Sequence, residues 1–197
     1  MTRGMSFSGE ALPECGAHLD AAAGGERILS TTPTMDADLR ALGEPDIVIA
    51  SLSVWIQRRE FPDATDYWDG NWLQAVARCS QRGATVCATG PILRTDEIRE
   101  FCDQCASLQA NLAGDAKLTC MEPYLRVELA GNARGQIAVT ITLTPDHLVQ
   151  RHEFRDQSDQ SYLPLIVTAC RRVLARFPVV GTDPSSTDPT QATSRNA

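Results

Sequence analysis

Cys102 and Cys105 stand three residues apart in C-D-Q-C, the spacing of half a zinc site or of a redox pair. A structural zinc needs two further ligands. Cys79, Cys87, Cys120, His147 and His152 are the candidates, and no second pair among them has ligand spacing. A thioredoxin-like pair belongs where a strand meets a helix, whereas this one falls within a helical stretch, with Cys105 on its apolar stripe. The pair therefore reads as core packing, the commonest fate of a free cysteine. The three histidines are His18, His147 and His152. No G-x-S-x-G elbow supplies them with a nucleophile, and no G-x-G-x-x-G or P-loop run supplies a nucleotide site. No catalytic set, metal or cofactor is expected.

The other chemically unusual stretch is Glu60–Trp72, EFPDATDYWDGNW, which crowds aromatics and acids between two strands. One reading is a connecting loop whose Tyr and Trp rings cap the sheet while Asp69-Gly70-Asn71 turns the chain. The other is an acidic, aromatic surface for a basic partner, with aromatics supplying contact area and carboxylates steering the encounter. On that second reading the contact residues are Asp63, Asp66, Tyr67, Trp68, Asp69 and Asn71.

The elements around these residues follow from period. From Asp46 to Gln57, Val48, Ala50, Leu52, Val54 and Ile56 alternate with polar positions, which predicts one half-buried strand. Trp72–Ser80 and Ala84–Ala88 read as a hairpin across Gln81-Arg82-Gly83. Lys117–Met121 and Tyr124–Ala130 are further strands. Gln136–Thr144 follows the Asn132–Gly135 turn with Ile137, Val139, Ile141 and Leu143 facing inward. Two stretches change to helical period. In the first, Thr95 is the predicted N-cap, Asp96 and Glu97 complement the helix dipole, and Ile98, Phe101, Cys105, Leu108 and Leu112 form the stripe. The second begins near Ser161 with the stripe Tyr162, Leu165, Ile166, Ala169, Cys170, Val173 and Phe177, has Pro164 in its first turn, and is closed by Pro178. The expected fold class is α+β: a meandering antiparallel sheet, flat or folded into two layers, with one or two packed helices.

The 197 residues suit one well-filled core. Residues 1–27 lack periodicity and are expected to be a flexible leader, residues 28–181 a single α+β domain, and residues 182–197 a disordered tail rich in Ser, Thr and Pro. No apolar run is long enough to span a bilayer, and the N-terminus lacks a signal-peptide pattern, so a cytoplasmic protein is expected. Seven cysteines, an odd and irregularly spaced set, fit a reducing compartment. A net charge of −7 argues against nucleic acid and anionic membrane as partners and favours a basic protein.

Asp66–Leu73, DYWDGNWL, resembles the WapI family of bacterial immunity proteins. Three further pieces agree in order: Met121-Glu122-Pro123-Tyr124-Leu125, Asp159-Gln160-Ser161-Tyr162-Leu163, and Phe177-Pro178-Val179 with Gly181. The resemblance implies a small non-catalytic cytoplasmic antidote that binds and silences a cognate toxin, often a nuclease. The alternatives are a metal-stabilised regulatory or interaction module using Cys102 and Cys105, and an enzyme of unknown type, whose first sign would be a cleft lined by perturbed carboxylates.

Overall fold

The computed structural model describes residues 39–184, so the expected leader and nearly all of the expected tail lie outside the described residues. Eight strands, β1 (Ile47–Ile49), β2 (Leu52–Arg59), β3 (Trp72–Gln81), β4 (Ala84–Arg94), β5 (Gly114–Thr119), β6 (Leu125–Gly131), β7 (Gln136–Leu143) and β8 (Glu153–Asp159), form two four-stranded antiparallel meanders, β1-β2-β3-β4 and β5-β6-β7-β8. Helix α1 (Thr95–Asn111) joins the sheets, and helix α2 (Leu163–Arg176) follows β8 through a 3-10 turn at Gln160–Tyr162. The helices pack on one another, with α1 also against β5 and α2 against β1. One apolar core runs through both sheets and both helices. The class is α+β, and the sheet is two sheets. Among the described residues no helix is long and apolar enough to cross a membrane.

The run from Asp46 to Gln57 is two strands and not one. A two-residue turn at Ala50-Ser51 pairs Ile49 with Leu52 and Ile47 with Val54. Such a turn inverts the parity of everything before it. Ile47 and Ile49 therefore point inward, and Val48 faces water. Ala50 accepts the cost of a φ of +50° to make this turn. The next hairpin is as expected: Arg82 and Gly83, at φ +50° and +86°, join Gln81 to Ala84 in the manner of a type I′ turn. Its second strand, β4, runs on to Arg94 as a bulge at Ile92 shifts the register against Leu73–Gln74.

Two helix details also differ from expectation. Arg94 is the N-cap of α1 and Thr95 its first residue, because the Thr95 hydroxyl donates to Asn71 Oδ1 and leaves the helix amides alone. Glu97 reaches back instead and accepts from the Arg94 amide at 2.9 Å. In α2 the buried stripe is Leu163, Ile166, Val167, Ala169, Cys170 and Val173, while Tyr162 and Leu165 are exposed. Two apolar stripes overlap in this helix, and packing against α1 and β1 selects the one a step round from Tyr162 and Leu165. On its other face, the first sheet buries Trp55 and Val76 under Leu39 and Leu42, and the Trp55 indole donates to Gly43 O at 2.9 Å.

Candidate functional site

The loop between β2 and β3 is built around Asp66. Its Oδ1 accepts from the amides of Trp68 at 2.8 Å and Asp69 at 2.9 Å, and its carbonyl accepts from the Gly70 amide at 3.1 Å. Those amide bonds, that of Asp69 foremost, hold the Asp66 carboxyl below the ordinary aspartate range. Asp66 is thus the N-terminal cap of a single helical turn, and the crowding of acids has a structural gain at this position.

Beneath that turn lies Arg94, only 2% exposed. Its guanidinium carbon stands 5.0 Å from the Tyr67 ring centre, 5.3 Å from that of Trp68 and 5.7 Å from that of Trp72. Nη2 donates to Tyr67 O at 2.9 Å. Nε lies 3.3 Å from Asp96 Oδ1, an ion-pair distance whose angle does not make a hydrogen bond. Tyr67 completes the ring of contacts by donating its hydroxyl to Asp96 Oδ2 at 2.9 Å. Burial and that acceptor push the Tyr67 phenol up to about 12.

Asn71 fills every hydrogen-bonding position of its amide. Nδ2 donates to Tyr67 O at 2.7 Å and to Val180 O at 2.9 Å, and Oδ1 accepts from the Val180 amide at 2.9 Å and from the Thr95 hydroxyl. Its carbonyl accepts the Thr95 amide at 3.0 Å. Arg59 adds two more ties, donating to Gly70 O and to Pro178 O. The two glycines are small because backbone passes over them. A Cβ on Gly70 would meet Asp66 O at 2.6 Å, and one on Gly181, at φ +70°, would meet Tyr67 N at 2.8 Å. The D-Y-W-D-G-N-W stretch therefore ties three distant pieces together: the β2–β3 loop, the start of α1 and the segment after α2.

Of the six residues read as partner contacts, Tyr67 and Asn71 are buried with their polar atoms engaged internally. Asp63, Asp66 and Asp69 are exposed, Trp68 is 50% exposed, and Phe61 of the same loop is exposed as well. The outer surface is thus acidic and aromatic on a base that cannot readily move. Arg94 had no sequence signal beyond its place beside Thr95 and Asp96, since a buried cation declares itself only when three rings from elsewhere close around it.

Cys102 and Cys105 are buried between the helices, with Cys102 Sγ 3.7 Å from Val167 O. Burial pushes the Cys102 and Cys105 thiols up, and Cys170 to about 12, the opposite of an activated nucleophile or metal ligand. Among the described residues no group of three or more His, Cys, Asp or Glu side chains is arranged to hold a metal ion. Glu97 is the half-buried carboxyl of note. Burial raises it to about 7 although it accepts from the Met121 amide at 2.6 Å as well as from Arg94.

Fold and loop together define a two-sheet α+β protein whose signature segment is an internal knot with an acidic, aromatic outer surface. Residues 46–178 match the immunity protein WapI-like family, and the chain belongs to that family. The match begins at Asp46, which accepts from the Ile56 amide at 2.6 Å and from Arg176 Nη2 at 3.0 Å, and ends at Pro178, held by Arg59. No curated protein shows significant similarity to the chain. Membership implies a cognate toxin as partner and its neutralisation as the role, in a family that is typically non-catalytic.

Proposed function

We propose that the protein neutralises a basic toxin domain of the nuclease class, in the cytoplasm of the producing cell, by covering it with the β2–β3 loop. Asp63, Asp66 and Asp69 face the toxin's cationic surface, Trp68 supplies the apolar anchor, and Tyr67 and Asn71 hold the loop from beneath. The observation that carries this reading is a half-exposed Trp68 set among exposed carboxylates on a loop whose base is already fixed. A fixed loop loses little conformational freedom on binding, which favours tight complexes. A nuclease must offer a basic surface to its own substrate, and a chain of net charge −7 is drawn to it.

The test uses the cognate toxin domain, with binding followed by stopped flow and calorimetry. Asp63→Lys with Asp69→Lys should slow association and remove most of its salt dependence; Trp68→Ala should speed dissociation. Asp66 is kept, because its reversal would unwind the turn. Unchanged binding in the double reversal and in Trp68→Ala would place the interface elsewhere.

A further inference from the structure

A groove of about 680 Å³ opens between β1, strands β6, β7 and β8 of the second sheet, and α2. Core side chains form its floor: Ile49, Leu129, Val139 and Ile166, all buried. Its lips are apolar as well and stand in water, with Val48 50%, Tyr162 54% and Leu165 64% exposed. Isolated exposed apolar residues are ordinary, but three gathered round one recess that reaches the core are the pattern of a covered surface. The volume is that of a pocket able to seat several side chains.

Charge narrows the occupant. Asp46, Asp156 and Asp159 line the groove, and among the described residues Arg172 is the one basic residue lining it. Asp46 is partly balanced by Arg176 at 3.0 Å, whereas Asp159 is an exposed cap for the Ser161 amide at 2.8 Å. Two of the strands at the groove, β1 and β8, end their ladders, so among the described residues neither has a strand on its outer side. On β8 the Arg155 carbonyl is held by the Gln81 side chain and the Gln157 amide by the Asp156 carboxylate at 2.9 Å, so side chains and not a partner strand cover this edge. A site of this kind suits a polypeptide segment with apolar and cationic side chains together.

We propose that this groove is a second docking site, taking a segment of a protein partner in which an apolar anchor sits beside a lysine or arginine. The proposal rests on the reading above only in assigning that segment to the same basic toxin. Helix α2 links the two surfaces. Leu165 lies in its first turn, and Phe177 at its end carries Arg59 over its ring at 5.9 Å, beside the Pro178 carbonyl that Arg59 also holds. About a dozen residues of helix lie between, roughly 18 Å at the α-helical rise. One partner with a standard interface of roughly 800 Å² per side can reach both.

The test titrates the full 15N-labelled chain with a short synthetic peptide alternating leucine and lysine. Counterparts carry glutamate for lysine or serine for leucine, and dodecylamine serves as a non-peptide cationic amphiphile. The expected result is saturable shifts at Val48, Tyr162 and Leu165 with the leucine–lysine peptide. Affinity should fall about tenfold or more for both counterparts and in the Val48→Lys and Leu165→Lys variants. These positions are exposed, so the variants should keep the circular dichroism of the parent. Equal binding of the glutamate peptide, shifts confined to Asp63–Asp69, or seating of dodecylamine without the peptide would each overturn the proposal. With the toxin itself the two surfaces separate. Loss of the complex in Leu165→Lys but not in the loop reversals sinks the loop reading and keeps the groove; the reverse pattern does the opposite.

Discussion

The side chain of Asn71 and the main chain of Val180 bond to each other twice, Nδ2 to O at 2.9 Å and N to Oδ1 at 2.9 Å. The amide imitates a strand partner and so fastens the segment after α2 to the loop before β3. Two more groups, Tyr67 O and the Thr95 hydroxyl, depend on the same amide.

Asn71→Ala leaves the Thr95 hydroxyl buried without its acceptor and strips both bonds from the half-buried Val180 main chain, while Tyr67 O keeps its bond from Arg94. The expected loss is about 2–4 kcal/mol of unfolding free energy, measured by urea titration with an unchanged m-value. Asn71→Asp should do at least as much harm at neutral pH, since it removes both donors and buries a charge among carbonyls. A variant within about 0.5 kcal/mol of the parent would show that these bonds do not form.

Arg94 faces three aromatic rings and pairs with Asp96, so charge alone does not describe its role. Arg94→Lys keeps the charge and loses the flat guanidinium. We expect a loss of about 1–2 kcal/mol together with altered near-ultraviolet circular dichroism, because Trp68 and Trp72 lose the plane they rest on. An unchanged aromatic spectrum would refute the packing described for this loop.

Glu97 makes stability depend on pH in an unusual direction for a carboxylate. Burial raises its folded pKa to about 7 from an ordinary value of 4.5, so the folded state holds the proton more tightly than the unfolded state. Its contribution is fully present below about pH 4.5 and is lost as pH rises through about 7. Unfolding free energy measured across that window should fall more steeply in the parent than in Glu97→Gln, which cannot titrate. Parallel curves for the two proteins would rule out a raised Glu97.

Much of the second sheet was legible because its signal is local. Ile137, Val139, Ile141 and Leu143 alternate without interruption, and all four are buried. The β8 strand, EFRDQSD, was not, since an outer strand needs few apolar residues and only Phe154 is buried here. The Ala50-Ser51 turn escaped for another reason. Neither residue is a strong turn former, and an alternating pattern reads equally well through a hidden change of parity. In the loop, the acids and aromatics stand out in the sequence, but which of them are buried depends on Arg94, Asp96 and Val180, all remote in the chain.

By itself the sequence determined the class of fold, the two helical stretches, most strand positions and the family to which the chain belongs, since period and short motifs act within a few neighbouring residues. Only the tertiary structure decided which stripe of α2 is buried, that Tyr67 and Asn71 lie beneath the loop while Trp68 stands out from it, and that Val48, Tyr162 and Leu165 meet round one groove. Those outcomes are set by packing between elements far apart in the chain, where small differences in burial choose among faces that look alike locally.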